Sequence, residues 1–238
     1  MTEFTEVWSY LSREPLLWLT ATLLAYSIGD AAFRASGRKP WVNPVLISVV
    51  LLAGILWASG TRYATYFEGA KFVHFLLGPA TVALALPLWE TRHHVRRAAL
   101  PILAALFAGS LTAVLSALAI AHSFGISGEV LISLAPKSAT APVALGISEQ
   151  MGGSPTLTAV LVILTGIIGA IVATPLLNLL GVRDWRARGL AVGVAAHGIG
   201  TARAFQVHPV AGAFAGLGMG LNAVLTAFLA PAVLHLFQ

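Results

Sequence analysis

The sequence predicts an all-α, polytopic membrane bundle of about seven spans, with re-entrant or discontinuous helices among them. Composition is the first reason. Of 238 residues, 58% are hydrophobic and only 10% charged, with a mean hydropathy of +0.86, whereas a soluble domain carries about a quarter charged residues. Charge placement is the second. Nine of the fourteen Lys and Arg residues fall in three short loops between apolar runs: Arg34, Arg38 and Lys39; Arg92, Arg96 and Arg97; Arg183, Arg186 and Arg188. Basic residues confined to short loops mark the cytoplasmic side of a membrane protein. A nucleic-acid surface would need a continuous basic face instead, so no nucleic-acid partner is expected. The third reason is that two apolar stretches are broken by Gly, Pro and polar residues at a depth where an exposed backbone is costly.

The elements follow in order. Residues 1–14 contain Glu3, Glu6 and Glu14 against one Arg13, the wrong sign for a cleavable signal. Phe4, Val7, Trp8 and Leu11 recur at helical spacing, which reads as an interfacial segment or equally as a frayed tail. Residues 15–238 read as a single transmembrane domain. Spans are expected at 16–33, 44–59, 72–89, 98–122, 156–180 and 210–237. If the three basic loops share the cytoplasmic side, the N-terminus lies outside. Residues 124–128 and 152–155 then lie on one side, so 128–151 must start and finish there, as a re-entrant hairpin or a pair of half-spans. Stretch 188–206 is expected to cross as an interrupted span. Paired with the oppositely directed 72–89, it suggests an inverted repeat of the kind transporters use.

In 128–151, Pro136 should end one helix, and Thr140 followed by Pro142 looks like a fresh start, with a hydroxyl cap and a proline in the first turn. Lys137 sits at this break, with Ser138 beside it. A lysine at membrane depth costs roughly 2.5–3.5 kcal/mol, so it should face water, an anion or a partner such as Glu149. In 188–206, Gly198 and Gly200 should permit unwinding after His197, and Thr201 should cap a half-helix carrying Arg203. Helix N-termini beside Lys137 and Arg203 would suit a small carboxylate substrate near the midplane. Lone His197 reads first as a histidine bonded within a helix interface. Glu149 and His197 are the candidates for carrying a coupled proton. Thr81, beside Pro79 in span 72–89, is a further candidate for the cavity wall. Gly212, Gly216 and Gly220 lie four apart and form a stripe suited to close packing, internal or against a second subunit. Gly189 and Gly193 read the same way. Asn222 either bonds across that contact or borders the cavity. The chain has no cysteine, which excludes disulfides and thiolate metal sites. None of its seven histidines forms a metal-spaced set with carboxylates. Neither an enzyme nor a cofactor is expected.

The runs PKSATAPVALGISEQMGG (136–153), TAVLVILTGIIGA (158–170) and ARGLAVGVAAHGIGTARAF (187–205), with LLGPATVALALPLW (76–89) upstream, resemble the LrgB/CidB family of bacterial membrane proteins. The resemblance covers about residues 15–237. The motif reads SAT-A-P where SVT-x-P is expected, a change at small apolar positions. The resemblance implies a bacterial inner-membrane protein related to the plant plastidial glycolate/glycerate transporter. Its fold would be grouped with the cation:proton antiporters and anion transporters, in which interrupted helices cross at the binding site. It implies two functions. One is alternating-access transport of small monocarboxylates of the pyruvate and glycolate class. The other is an antiholin-like control of murein hydrolase activity and lysis with a small LrgA/CidA-type subunit, in a homo- or hetero-oligomer. Carried onto this chain, the motif positions are Lys137, Ser138, Thr140, Pro142, His197, Gly200, Thr201 and Arg203.

Overall fold

The computed structural model describes residues 14–76, 79, 82–83, 89 and 92–237. Every regular element among them is a helix, and four are long and apolar enough to cross a membrane. Thr81, the segment 1–13 and most of span 72–89 lie outside the described residues. The chain divides into two compact units, residues 1–83 and 84–238.

The first unit holds α1 (Pro15–Ala35), α2 (Pro44–Ser59) and α3 (Tyr63–Phe75). Pro15 and Pro44 occupy first turns, where a missing N–H costs nothing. The Asn43 side chain accepts from the Val45 and Leu46 N–H groups, and α2 stops at Gly60 with φ 63°, a left-handed conformation that suits glycine. Asp30 lies within α1, where Arg34 pairs with it at 2.8 Å one turn on. Trp18, Ala25, Gly29 and Phe33 form the buried face of α1. Close approach depends on two glycines. A Cβ at Gly29 would lie 2.6 Å from the Pro44 carbonyl oxygen, and one at Gly69 would lie 2.2 Å from that of Pro15. Helix α3 begins at Tyr63, earlier than the span expected from residue 72.

The second unit holds α4 (Arg92–Arg97), α5 (Ala99–Ser123), α6 (Gly128–Leu134), α7 (Ala141–Gln150), α8 (Pro155–Leu179), α9 (Trp185–Val207) and α10 (Pro209–Leu234). Helices α5 and α10 run parallel. Ile102 packs on Phe214, Ser110 bonds Asn222, and Val114, Leu118 and Ala121 cluster with Ala230, Val233 and Leu234. Helices α6 and α7 are 7 and 10 residues long, so at 1.5 Å per residue neither reaches across a core about 30 Å thick. Between them, 135–140 forms tight turns with i to i+3 bonds, including Lys137 N–H to the Leu134 carbonyl. Ser133 and Ser148 both meet Thr158 near the start of α8. The Thr158 hydroxyl donates to the Ser133 carbonyl at 3.0 Å and pairs with the Ser148 hydroxyl at 2.7 Å. Deeper along α8, Val162 packs on Ala139 and Ala144. The segment therefore enters, turns at 135–140 and returns to the end it came from, a re-entrant hairpin.

Helix α9 departs from expectation. Its interior bends at Ala196 (φ −131°, ψ 16°) and His197 (φ 40°, ψ −133°). Before the bend, a Cβ at Gly189 would meet the Ala211 carbonyl oxygen at 2.2 Å, and one at Gly193 that of Ala215 at 2.0 Å. The numbers rise together, so limb 185–195 runs parallel to α10. After it, Thr201 meets Met219 and Phe205 meets Gly212, so limb 198–207 runs antiparallel. The Trp185 and His208 rings stack at 4.8 Å with planes 3° apart, closing the base. Stretch 188–206 is therefore a second hairpin, not an interrupted crossing. Each limb is about 15 Å long, half a hydrocarbon core. Basic segments 92–97 and 183–188 share one end of this unit, since Ala98, Asp184 and Arg186 line one cleft. The second hairpin enters from that basic end and the first from the opposite end. These two hairpins are the oppositely directed interrupted elements of the unit.

Candidate functional site

The two hairpin tips meet at Asn222, in the middle of α10. Asn222 is 1% exposed. Its amide donates to the Ser138 carbonyl at 3.0 Å and to the Val194 carbonyl at 3.2 Å. Its carbonyl accepts from Ser110 at 2.5 Å and from Thr226 at 3.4 Å. Two donors and two lone pairs are thus all used. A helix ending at a tip leaves carbonyls without partners; Val194 is such a carbonyl at the end of limb 185–195, and Ser138 supplies a turn carbonyl from the first tip. Of the two readings the sequence left open for Asn222, bridging across the contact holds, and the bridge joins the tips rather than two smooth helices.

His197 is held at the second tip. Its Nε2 lies 2.9 Å from the Val162 carbonyl oxygen, so this nitrogen carries the proton and Nδ1 is the acceptor in the neutral ring. Gly166 makes the notch: a Cβ there would come within 2.6 Å of the imidazole. A Cβ at Gly169 would come within 2.4 Å of the Ala196 side chain. The positive φ of His197 is strained for any residue with a side chain, at a cost on the order of 1–3 kcal/mol. His197→Gly should therefore be more stable than His197→Ala by about 1 kcal/mol, the reverse of the usual order inside a helix. Thermal unfolding of the two variants measures this, and a more stable alanine variant would rule out the left-handed turn.

The glycines and Thr201 act differently from expectation. The break lies at Ala196–His197, before Gly198 and Gly200. A Cβ at Gly200 would strike Ala196 at 2.6 Å and Val192 at 2.9 Å, so Gly200 lets the two limbs close. Thr201 lies one turn inside the return limb and does not cap it, because its hydroxyl donates to the His197 carbonyl at 2.7 Å. At the first tip, Thr140 is the N-cap residue of α7 and Pro142 is in its first turn, but the Thr140 side chain makes no capping bond. The Ala141 and Val143 N–H groups find no acceptor among the described residues.

Lys137 is half-buried at the first tip. No described residue bonds or pairs with its ammonium group. Glu149 is exposed near the far end of α7 and does not pair with Lys137. Arg203 is not at a tip either. It lies six residues past the bend, roughly 9 Å along the return limb, and lines a cleft with Trp185 and Arg188. The glycine stripe is not one internal seam. Gly212 makes room for the Phe205 ring, but Gly220 is exposed with nothing within 4 Å, and Gly216 is half-buried. The α9–α10 seam uses Gly189, Gly193 and Gly218 instead.

A cleft of about 610 Å³ runs between α5 and limb 185–195, from Asp184 and Arg186 at the basic end to Val194 and Ala195 at the tip. Asp184 accepts the Arg186 backbone N–H at 2.8 Å and pairs with its guanidinium at 2.6 Å. These bonds hold its carboxyl at about 2. Several contributors were missed from sequence: Gly166, Gly169, Ser110 and the Ser133–Ser148–Thr158 hydroxyl group. The Gly-x-x-Gly spacing at 166 and 169 is the one local signal among them.

The sequence pattern of the LrgB-like family matches residues 22–236. The chain belongs to the LrgB-like family. Among similar proteins, holin-like protein CidB of Staphylococcus aureus (strain N315) is 33% identical over 224 residues, 94% of this chain and 97% of the relative. Holin-like protein CidB of Staphylococcus epidermidis (strain ATCC 12228) is 30% identical over the same shares. Protein YxaC of Bacillus subtilis (strain 168) is 37% identical over 199 residues, 84% of this chain and 86% of the relative. No solved structure matches. With its apolar helices, this LrgB-like chain is a multi-pass helical membrane protein. The family match also spans both hairpins, including the tip residues that meet at Asn222.

Proposed function

We propose that this LrgB-like protein is a holin-like protein of the bacterial inner membrane, N-terminus outside, that controls murein hydrolase activity and lysis with a small LrgA/CidA-type subunit. Its likeness to the CidB proteins along nearly their whole length supports this role. The geometry favours a molecular basis for it: controlled passage of small monocarboxylates, of the pyruvate and glycolate class, where the hairpin tips meet. One observation carries that second reading. Among the described residues, Lys137 is a cation without a partner and stands shortly before α7, whose first N–H groups find no acceptor there, at the tip that meets the opposite hairpin through Asn222. Cation and helix start together suit a carboxylate. Asn222 occupies the carbonyls of the tips and leaves the donors for the anion. The apolar cleft along limb 185–195 offers an approach from the basic end. A passive pore has no use for a half-buried cation at such a contact.

Uptake of labelled pyruvate or glycolate into proteoliposomes tests it. Lys137→Ala is expected to lower the flux at least tenfold, about 1.4 kcal/mol or more, with Lys137→Arg intermediate. An unchanged flux in Lys137→Ala would remove the anion site. If the protein moves no carboxylate but shifts lysis timing with its small subunit, the holin-like role stands without passage. For coupling, His197 is the candidate at the tips, and a flux indifferent to a pH gradient would remove it.

A further inference from the structure

Arg203, displaced from the tips, shares a cleft with Arg188 at the base of the second hairpin. Trp185 and Thr174 line it too, no carboxylate among the described residues does, and the remaining lining is alanine, leucine and valine. The cavity is about 20 Å³, enough for one water-sized group. Arg188 is 8% exposed. Its guanidinium donates to the Val182 and Thr174 carbonyls at 2.8 and 3.5 Å and lies 5.0 Å from the centre of the Trp185 ring. Carbonyls satisfy its hydrogen bonds without cancelling its charge, and it has no ion pair among the described residues. Asp184, four residues earlier, is committed to Arg186. Arg203 reaches the same cleft and also bonds Gln206 at 3.4 Å.

We infer that this cleft binds a phosphate oxyanion, held between the Arg188 and Arg203 guanidinium groups at the basic end of this unit. Guanidinium forks match phosphate oxygens in charge and geometry. The cavity admits one oxygen while the body of the ligand stays outside. The Trp185–His208 stack stands beside the cleft, and tryptophan settles at headgroup depth. Two sources present this chemistry there: the phosphate of an anionic phospholipid, whose chains the apolar lining would meet, and free inorganic phosphate. Basic pockets between helices on the cytoplasmic side suit the former.

The test uses the full chain purified in detergent. Native mass spectrometry and thermal unfolding are read with phosphatidylglycerol, with phosphatidylcholine and with inorganic phosphate, against chloride at equal ionic strength. Saturable retention of phosphatidylglycerol over phosphatidylcholine is expected, weakened at least tenfold in Arg203→Gln and unchanged in Arg183→Gln, an exposed residue of the basic loop. Retention that phosphate fails to displace identifies the lipid as the source. Stabilisation by phosphate alone identifies the free anion. Equal retention of both lipids with no phosphate effect would overturn the site, as would equal behaviour of the two variants. Because Arg188 also ties down Val182 and Thr174, its variants are left out, and phosphate competition on the unaltered protein supplies the second reading.

Discussion

Asn222→Asp is expected to separate the two hairpin tips and abolish any function that depends on their contact. The substitution is nearly isosteric, yet it exchanges the amide's two donors for an acceptor. The Ser138 and Val194 carbonyls, now 3.0 and 3.2 Å from an N–H donor, would face a carboxylate oxygen. Each buried carbonyl left without a donor costs about 1–3 kcal/mol, and a charge 1% exposed adds desolvation. A loss on the order of 3–5 kcal/mol follows. Asn222→Ala removes the same donors without adding a charge and should cost less, on the order of 2–4 kcal/mol. Thermal unfolding in detergent gives the stability difference. Accessibility of single cysteines at Ala139 and Ala195, in this otherwise cysteine-free chain, reports whether the tips part. An aspartate variant as stable as the parent would mean that Asn222 does not hold the tips.

Gly193→Val is expected to have the other large effect, on the order of 3–4 kcal/mol of stability. A Cβ at this position would lie 2.0 Å from the Ala215 carbonyl oxygen and 2.7 Å from its carbon. Both are backbone atoms, so no side-chain rotation relieves the clash and limb 185–195 must move away from α10. That motion would also draw Val194 off Asn222, so stability and function should fall together. Gly220→Ala is the contrast. It lies in the interior of α10 with open space around it, and helix propensity favours alanine by about 1 kcal/mol. A small gain or no change is expected. Equal losses in the two variants would contradict the assigned seam.

How much of this site was legible beforehand depended on whether a residue's role was local. Pro136 and the Thr140–Pro142 pair mark a helix end and a helix start through their own backbone chemistry, so the first break stands where the residues put it. The cap itself did not follow, because a hydroxyl at the N-cap bonds only if the chain geometry turns it toward the next N–H groups. At the second break the glycines misled. Gly198 and Gly200 read as the flexible points, but packing places the turn on His197, because Gly166 and Gly169 on α8 leave room there for the imidazole and for Ala196. No local rule ranks a histidine above a glycine for a left-handed conformation. Charge counting resolved the first hairpin because basic loops bracket it. It failed for the second, since the linker at His208 carries no Lys or Arg to say which side it occupies.

Motif runs around Lys137 and His197 carried the likeness to the LrgB family, and Gly, Pro and polar residues within apolar runs marked the two interruptions. Hydrophobic length, low charge content and basic loops determined from sequence alone that this is a helical membrane protein. These properties are sums over local composition, and bilayer thickness converts them directly into spans. Only the tertiary structure decided that the second interruption is a hairpin, that the tips share Asn222, and that Arg203 lies at the base beside Arg188 rather than at a tip. Each depends on residues far apart in the chain, such as Asn222 with Ser138 and Val194. The free energy that selects them comes from buried carbonyls finding donors and from backbones meeting at glycines, terms that exist only once the helices have packed.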